Sequence, residues 1–443
     1  MYRRTKDVQA TIVRTRASRT AAMPRALVAV AGALVLACLS FASPARAQEP
    51  TPGQPQTRAE AIADERAAKV AELWPERQSP MVDRVNSLAE RGFREGLDSG
   101  HGVNGPQLVL GGMRSGQGFS AGLGYRRSDL WQERLGYRAT ARGTLQYGYM
   151  FDFDLDFQGL RTERAALQWY TKFEHSPHIS YYGFGNQSSQ AQQTSYRYDD
   201  FTTDFSATYQ PGRSLRLGAT GGYLYPHTGP GSEDLPPIDE HFPADSLPGF
   251  EEDTHYMRIG VFAYVDSRDS RTGPRSGHLF GARYREYWDV GRKTFAFRQS
   301  DFEFQQYLPY FNRSRVIAVR AAAVLSYPKG DNQVPLYLQP TLGGNDDLRG
   351  FGPYRFRDVH SFLLSAEHRW HVSSLLDMSA FVDGGKVVPL KRDVNPESLH
   401  YSGGVGFRVR LGAAVVNRID FAGSAEGFRV SWTFSDIYSP RWW

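Results

Sequence analysis

The sequence predicts an all-β transmembrane barrel of about sixteen antiparallel strands, with a short helical segment before it. First, the 443 residues have a mean hydropathy of −0.49 but include 27 Phe, 24 Tyr, 8 Trp and 44 Gly. Second, apolar and polar residues alternate from Gln107 onward. Third, only residues 27–39 form a long apolar stretch, which excludes a bundle of membrane helices. A barrel with lipid outside and water inside explains low hydropathy together with many aromatics.

The apolar stretch predicts an export signal over residues 1–47. Arg25 precedes the stretch, and Ala45-Arg46-Ala47 follows it with the small-x-small pattern of a cleavage site. Cleavage before Cys38, as in a lipoprotein, is the alternative, and the bulky Leu36 argues against it. Because Cys38 is the only cysteine, the mature chain is expected to contain neither a disulfide nor a thiolate metal site.

Removal of this signal changes the charge of the chain. Residues 1–47 contain eight basic residues and one acidic residue, a net +7, so the total of +5 becomes −2 after cleavage. A true start at Met23 would give the signal an ordinary length. A slightly acidic mature chain gives no support for a nucleic-acid partner.

Residues 48–105 are expected to form a periplasmic leader with two short helices. The first helix is capped by Thr57 and stops at Pro75, and its Ala, Glu, Lys and Leu content favours helix. The second begins at Ser79-Pro80 and stops at Gly92. The helices either pack on the main domain, or plug a pore or bind a periplasmic partner, and both interpretations stay open.

Residues 106–443 are predicted to form the barrel domain. In FDFDLDFQ, Phe151 and Phe153 alternate with Asp152 and Asp154, so one face is apolar and the other needs water. The same alternation recurs over residues 404–411 and 427–434. The predicted strands are 107–113, 117–127, 134–146, 147–158, 164–174, 194–209, 213–225, 255–266, 277–288, 296–309, 314–326, 361–371, 376–386, 400–411, 415–423 and 426–435.

An even number of strands is expected for a closed bacterial barrel, with long loops at one end and short turns at the other. The longest loops are predicted at about residues 226–254 and 327–360. A soluble propeller or sandwich is the competing fold. Irregular spacing and the lack of a blade repeat in the sequence argue against it.

Several segments combine glycine, aromatic and charged residues in an order that carries a family resemblance. They are Leu348-Arg349-Gly350-Phe351, SAEHRW with Glu367, AFVDGGKV with Phe381, Asp383 and Gly385, YYGFGNQSS with Gly183, Gly185 and Asn186, and DSRDSRTGPRSG with Asp266, Arg268, Asp269, Pro274 and Gly277. Together, from about Gly111 to Trp432, they resemble the BamA/TamA-type bacterial surface-antigen barrels of the outer membrane. In that family the Arg-Gly-Phe/Tyr signature lies on the sixth outer loop, and a Phe-x-Asp-x-Gly element lies on the barrel wall.

The resemblance implies that the Arg-Gly-Phe loop folds into the barrel. Folding such a loop inward costs conformational entropy and removes water from its polar groups, so the loop needs contacts that hold it in place. Arg349 supplies a rigid charged fork, with Asp383 as its first expected partner and Glu367 as a second contact. Gly350 would allow close approach to the wall, and Phe351 would pack beside it. Without the family context, these residues would read as ordinary surface charges on an outer loop.

The resemblance also implies a weak seam between the first and last strands, which admits a substrate strand or disturbs the bilayer. The seam residues are predicted to be Gly111 and Gly112 on the first strand and Phe428, Val430, Trp432 and Phe434 on the last. The tail DIYSPRWW departs from the family pattern. It is expected either to lie at the membrane interface or to tuck inside and stiffen the seam.

A second departure concerns the periplasmic POTRA modules of family members that insert or secrete proteins. Residues 48–105 show no strand pattern and are too few for one such module. Client capture is therefore expected from the short helices or from a separate partner. The role of the essential assembly factor is not assigned.

No enzyme, cofactor or metal site is predicted. The G-x-S-x-G motif at Gly118 to Gly122 lies in a predicted strand without the following helix that exposes a catalytic serine. His368 and His371 are three residues apart, which places them on opposite faces of a strand. GGNDD at 343–347 would suit calcium, but acidic residues in loops are more often solvated.

The sequence therefore predicts a non-enzymatic barrel of the bacterial outer membrane. Its expected partners are outer-membrane lipid, unfolded outer-membrane or secreted polypeptide, and a periplasmic protein. The expected function is to assist insertion or translocation of polypeptide, or to perturb lipid. The alternatives are a passive or gated pore for small solutes, with only ancestral resemblance, and a hydrolase embedded in the barrel.

Overall fold

The computed structural model describes residues 104–159, 164–231, 235–411 and 414–434. The predicted export signal, the two leader helices and the tail from Ser435 lie outside the described residues. No helix in the described part of the chain has the length and hydropathy needed to cross a bilayer.

Sixteen strands form one antiparallel sheet, and each strand except the two at the ends pairs with two neighbours. They are β1 Gly105–Leu110, β2 Ser120–Leu130, β3 Leu135–Thr144, β4 Tyr149–Gln158, β5 Ala165–Tyr181, β6 Thr194–Tyr209, β7 Leu215–Pro230, β8 Tyr256–Asp266, β9 Gly277–Asp289, β10 Phe297–Tyr310, β11 Arg315–Pro328, β14 His360–Ser373, β15 Leu376–Val388, β16 His400–Leu411, β17 Ala414–Ser424 and β18 Gly427–Thr433. Two further strands, β12 Thr341–Leu342 and β13 Phe356–Arg357, pair with each other. The predicted fold class is confirmed.

The alternating pattern sorts side chains onto the two faces of the sheet. On β4, Phe151 is 54% exposed on the outer face, whereas Asp152 and Asp154 are 4% and 8% exposed on the inner face. Inner charges find partners on neighbouring strands: Arg142 pairs with Asp152, and the side chain of Gln168 donates to Asp154 at 3.0 Å. The outer face is thus apolar and suited to lipid, and the lumen is lined by paired polar groups.

Strand length varies around the sheet. β3 and β4 have 10 residues each, whereas β5 has 17 and β6 and β7 have 16 each. The predicted end of β5 at residue 174 is wrong, because a bulge between Ser176 and Ile179 lets the strand continue past Pro177. A proline cannot donate to the ladder, so it interrupts the pattern without ending the strand.

The long connections cover one end of the barrel. They contain helix α1 (Ile238–His241) and short 3-10 helices at Gln190–Gln192, Ala244–Ser246, Leu336–Leu338 and Lys391–Asp393. Their apolar residues form a cluster with the strand ends, which includes Tyr181, Tyr196, Ile238, Leu247, Tyr256, Phe297, Leu336 and Tyr337. We call this cluster the roof. Its loops are joined directly, since the Leu336 N–H donates to the Pro248 carbonyl at 2.9 Å.

β1 and β18 are the two edges of the sheet. In the described residues no backbone pairing joins them, but their ends are neighbours. A Cβ at Gly111, the first residue after β1, would lie 3.7 Å from Phe434 Cβ. The ring of Phe119, the residue before β2, lies 6.1 Å from that of Trp432 and 5.5 Å from that of Phe434. Side chains therefore bridge a seam that the backbone leaves open.

The structure corrects the assignment of three seam residues. Gly111 and Gly112 follow the last residue of β1, with φ angles of 73° and 83°. Residues with a side chain rarely adopt this left-handed backbone conformation, so the two glycines allow the chain to turn out of the strand. Phe434 lies one residue beyond the end of β18, whereas Phe428, Val430 and Trp432 are exposed on the outer face of that strand.

Candidate functional site: a loop anchored inside the barrel

The loop between β11 and β14 contains a hairpin that enters the lumen. Thr341 pairs with Arg357 and Leu342 with Phe356, which closes the hairpin that we call the lumen loop, residues 341–357. Gly343 follows with a φ of 113°, and a Cβ there would collide with the Gly352 carbonyl. Only glycine fits this turn, which directs the tip of the loop toward the wall of the barrel.

Arg349, at the tip, lies against two carboxylates of the wall. Its Nε and Nη2 donate to the two oxygens of Asp383 on β15 at 2.9 and 2.7 Å. Its Nη1 donates to Glu367 on β14 at 3.0 Å. All three side chains are 0% exposed. A bidentate pair buried to this degree fixes both the position and the orientation of the guanidinium.

These three residues belong to a larger charged group. Glu367 also pairs with Arg369 and Arg408, each at 2.6 Å. Asp420 pairs with Arg418 at 2.8 Å and lies 3.9 Å from Arg349. We call these four arginines and three carboxylates the lumen network.

The lumen network keeps Arg349 charged. Burial alone lowers the pKa of Arg349, but the nearby carboxylates of Asp383 and Glu367 outweigh it and raise the pKa above its ordinary value. The anchor is therefore a permanent cation.

An aromatic ring packs against the face of the Arg349 guanidinium. The Cζ atom of Arg349 lies 3.3 Å from the centre of the Phe381 ring, a cation-π contact between buried groups. The ring itself needs space on β16, where a Cβ at Gly404 would lie 2.9 Å from Phe381 Cζ and would collide with the Phe421 carbonyl. Gly404 on β16 thus leaves the space that the Phe381 ring needs to contact Arg349.

Gly350 and Phe351 each occupy a defined place on the wall. A Cβ at Gly350 would lie 2.8 Å from both the Gly423 carbonyl and Ser402 Cβ, and Ser424 Oγ donates to the Gly350 carbonyl at 2.8 Å. Phe351 is 2% exposed. It belongs to an apolar cluster with Leu342, Leu348, Phe356, Leu363 and Val387.

Gly385 makes room for that apolar cluster. A Cβ at Gly385 would lie 2.9 Å from Leu342 Cδ1. The signature thus combines an ionic anchor, a close backbone contact and an apolar contact.

Arginines of the wall also hold the backbone of the tip. Arg320 on β11 donates to the Asp346 carbonyl at 2.8 Å, and Arg418 on β17 donates to the Asn345 carbonyl at 2.6 Å. Arg429 on β18 donates to the Phe351 carbonyl and, at 3.1 Å, to Asn345 Oδ1. The lumen loop therefore spans the lumen from β11 to the last strand of the sheet.

Sequence reasoning missed Arg369, Arg408, Arg418 and Asp420 as members of this site. The alternation over residues 404–411 already placed Arg408 and Arg410 on the polar face. It could not reveal their partners, because those depend on the stagger between strands that are far apart in sequence.

The candidate serine and the two histidines lie apart from the anchor, whereas GGNDD belongs to the lumen loop itself. Ser120, the serine of G-x-S-x-G, is the first residue of β2, so the motif precedes a strand and not a helix. His368 contacts Tyr310 at 2.6 Å, and His371 contacts Asp377 at 2.8 Å. In GGNDD, Asp346 lies 3.4 Å from Arg418 and Asp347 lies 3.9 Å from Arg320, so both acids face arginine.

The family of the chain follows from its match to a family model. The model of the Omp85 superfamily domain matches residues 114–425. The chain belongs to the Omp85 superfamily. This result confirms the resemblance to BamA/TamA-type barrels and, with the sixteen-stranded sheet, indicates a bacterial outer-membrane Omp85 protein.

Two of the solved structures that are similar to this chain are a BamA and a CdiB. BamA from Haemophilus ducreyi lacking POTRA domains 1-3 has a TM-score of 0.55 and 14% identity, over 75% of this chain and 71% of that chain. CdiB from Escherichia coli has a TM-score of 0.49 and 12% identity, over 74% of this chain and 61% of that chain. No curated protein matches the sequence significantly. At this identity the likeness to BamA shows a shared fold.

Proposed function

We propose that this Omp85 protein assists the insertion or translocation of polypeptide at the outer membrane, without catalysing covalent chemistry. The observation that carries the proposal is a fixed lumen beside an open seam. The lumen loop is anchored by the buried pair of Arg349 and Asp383, whereas β1 and β18 end the sheet as edges. The part of the barrel free to engage a partner is therefore the seam.

The chemistry of the seam favours an unfolded polypeptide as the client. An edge strand offers a row of backbone donors and acceptors, and these are costly to leave unpaired in lipid. A client strand that adds to β1 or β18 would satisfy them, as in β-strand addition. Phe428, Val430 and Trp432 on the outer face would meanwhile contact outer-membrane lipid. A periplasmic partner that delivers the client completes the proposal.

One observation favours a second candidate, a gated pore for small solutes. A cavity of about 490 Å³ lies in the lumen and is lined by residues of the lumen loop, of β5 to β11 and of β14. Lys172, Asp200, Arg258 and Asp301 are among its lining residues. Such a cavity would conduct solutes if the roof opened above it.

Reconstitution separates the two candidates. The full chain is placed in liposomes of outer-membrane lipid, and an unfolded outer-membrane protein is added as client. We expect the wild type to speed formation of the heat-modifiable folded client relative to empty liposomes. Arg349→Ala should lose this effect, and Arg127→Ala, which removes an exposed pair with Asp129, should keep it. Equal folding in empty liposomes and with the wild type, together with rapid uptake of sugars, would replace the proposal with the pore.

A further inference from the structure

A second arginine enters the lumen from the loop between β1 and β2, residues 111–119, which we call the first loop. Arg114 Nη2 donates to Asp200 on β6 at 2.9 Å, and its Nε lies 3.4 Å from Glu174 on β5. The backbone N–H of Arg114 also donates to Glu174 at 3.4 Å. Both carboxylates are 2% exposed.

Arg114 repeats the arrangement of Arg349 on the opposite side of the lumen. Its Cζ lies 4.5 Å from the centre of the Tyr198 ring, so this guanidinium too is placed between two carboxylates and an aromatic face. Lys172 shares the acids, at 2.7 Å from Glu174 and 3.3 Å from Asp200. Two cations thus balance two buried anions, and the site is complete only when the first loop is seated.

The first loop also packs on the lumen loop. A Cβ at Gly344 would lie 2.9 Å from Ser115 Oγ, and a Cβ at Gly116 would lie 3.3 Å from Pro353. Next to Pro353, Tyr354 has a φ of 58°, a left-handed conformation that a large side chain keeps only where packing enforces it. The two loops therefore fit each other in one arrangement.

Both sides of the seam are tied to these two loops. On one side, Arg114 is four residues beyond Leu110, the last residue of β1, and the intervening Gly111 carbonyl accepts a bond from Arg142 at 3.2 Å. On the other side, β18 holds the lumen loop through the bond from Arg429 to the Phe351 carbonyl. A change in the position of either loop therefore shifts the seam strand to which that loop is bonded.

We infer that Arg114 is a positioning residue that couples the lumen loop to the seam. With both loops seated, Arg114 holds the end of β1 beside β18. When the lumen loop leaves the wall, the first loop loses its packing surface, Arg114 separates from Glu174 and Asp200, and the seam widens. Client entry, which rests on the proposed function, requires the seam to widen and then to close again, so a loop that Arg349→Ala keeps off the wall does not support it. The coupling itself does not rest on the proposed function.

A disulfide across the seam measures the coupling. A Cβ at Gly111 would lie 3.7 Å from Phe434 Cβ, within the range that a disulfide requires. The pair Gly111→Cys and Phe434→Cys is placed in the full chain with Cys38→Ala, and the rate of oxidation is followed in liposomes. All variants are compared in this background, so the positive φ at position 111 affects them equally.

We expect Arg114→Ala to slow cross-linking about threefold, because the Arg114 side chain is 30% exposed and Lys172 still pairs with both carboxylates in the variant. Arg349→Ala should slow it as well, and Arg114→Lys should lie between, because lysine keeps the charge but not the fork. Arg258→Ala is the matched control, since it removes another lumen pair, with Asp204 at 2.9 Å, away from the seam.

Unchanged cross-linking in Arg114→Ala, with a barrel that still shows heat modifiability, would overturn the inference. So would equal slowing in Arg258→Ala, because the effect would then be general destabilisation. If Arg114→Ala does not fold, Asp200→Asn weakens the same ion pair with Arg114 intact and should also slow cross-linking. No client is present in the assay, so a response here and no insertion by the wild type would reject the proposed function alone.

Discussion

The effect of a charge pair on this protein depends on burial more than on distance. Arg127 and Asp129 lie 2.7 Å apart, and so do Arg349 and Asp383. The first pair is 38% and 46% exposed, so water and salt can replace either partner at little cost. The second pair is 0% exposed, and removal of one partner leaves a charge that water cannot reach. The same contact is therefore an anchor only in the lumen.

Arg349→Ala and Asp383→Ala are each expected to release the lumen loop and abolish function while the barrel still forms. Loss of one partner of a buried pair costs about 3–5 kcal/mol, and the sixteen-stranded ladder does not depend on that pair. Protease treatment of the folded proteins should cut residues 341–357 faster in both variants. If cleavage of this loop is as slow in both variants as in the wild type, the pair is not the anchor.

At the scale of the loop, glycines allow the backbone of the lumen loop to pack closely against the wall. A Cβ at Gly350 would press on the Gly423 carbonyl, which is backbone of β17 and cannot move away. A Cβ at Gly352 would meet only the Tyr182 hydroxyl, at 3.2 Å, the end of a side chain that needs to shift by only a few tenths of an ångström. The two glycines lie two residues apart, and their surroundings predict opposite effects of replacement by alanine.

We expect Gly350→Ala to shift the lumen loop off the wall and to weaken the contacts of Arg349 with Asp383. Gly352→Ala should leave the loop seated. Protease sensitivity of residues 341–357 measures both, and the lumen loop of Gly350→Ala should approach the cleavage rate of Arg349→Ala. Equal behaviour of the two glycine variants would show that backbone approach at Gly350 is not required.

The strands could be predicted from the sequence because their signal is local. Alternation with a period of two gave all sixteen strands of the barrel, and β6 and β16 have the predicted bounds. β2 and β7 continue past their predicted ends at residues 127 and 225, to Leu130 and Pro230. Two other errors lie where backbone geometry overrides the pattern. Pro177 at the bulge concealed the end of β5, and left-handed glycines after Leu110 ended β1 early. Neither effect depends on which side chains are apolar.

At the scale of the whole molecule, the site was only partly predictable. The family signature pointed to Arg349, Glu367 and Asp383, which the structure brings together. Arg114, the one basic residue in GGMRSGQG, was missed. Its partners come from β5 and β6, so only the folded arrangement of the strands around the lumen reveals them. Short-range patterns give strands and faces, whereas pairings across the lumen need the fold.

The filled lumen leads to a prediction for the intact barrel. The lumen loop crosses from β11 to β18, the first loop covers the opposite wall at Arg114, and the roof closes the outer end. We therefore expect wild-type protein in planar bilayers to show only small and unstable currents. The double variant Arg114→Ala and Arg349→Ala frees both loops and should give larger, longer openings than either single variant. Arg127→Ala serves as the control. A large steady current through the wild type would mean that these loops do not close the lumen.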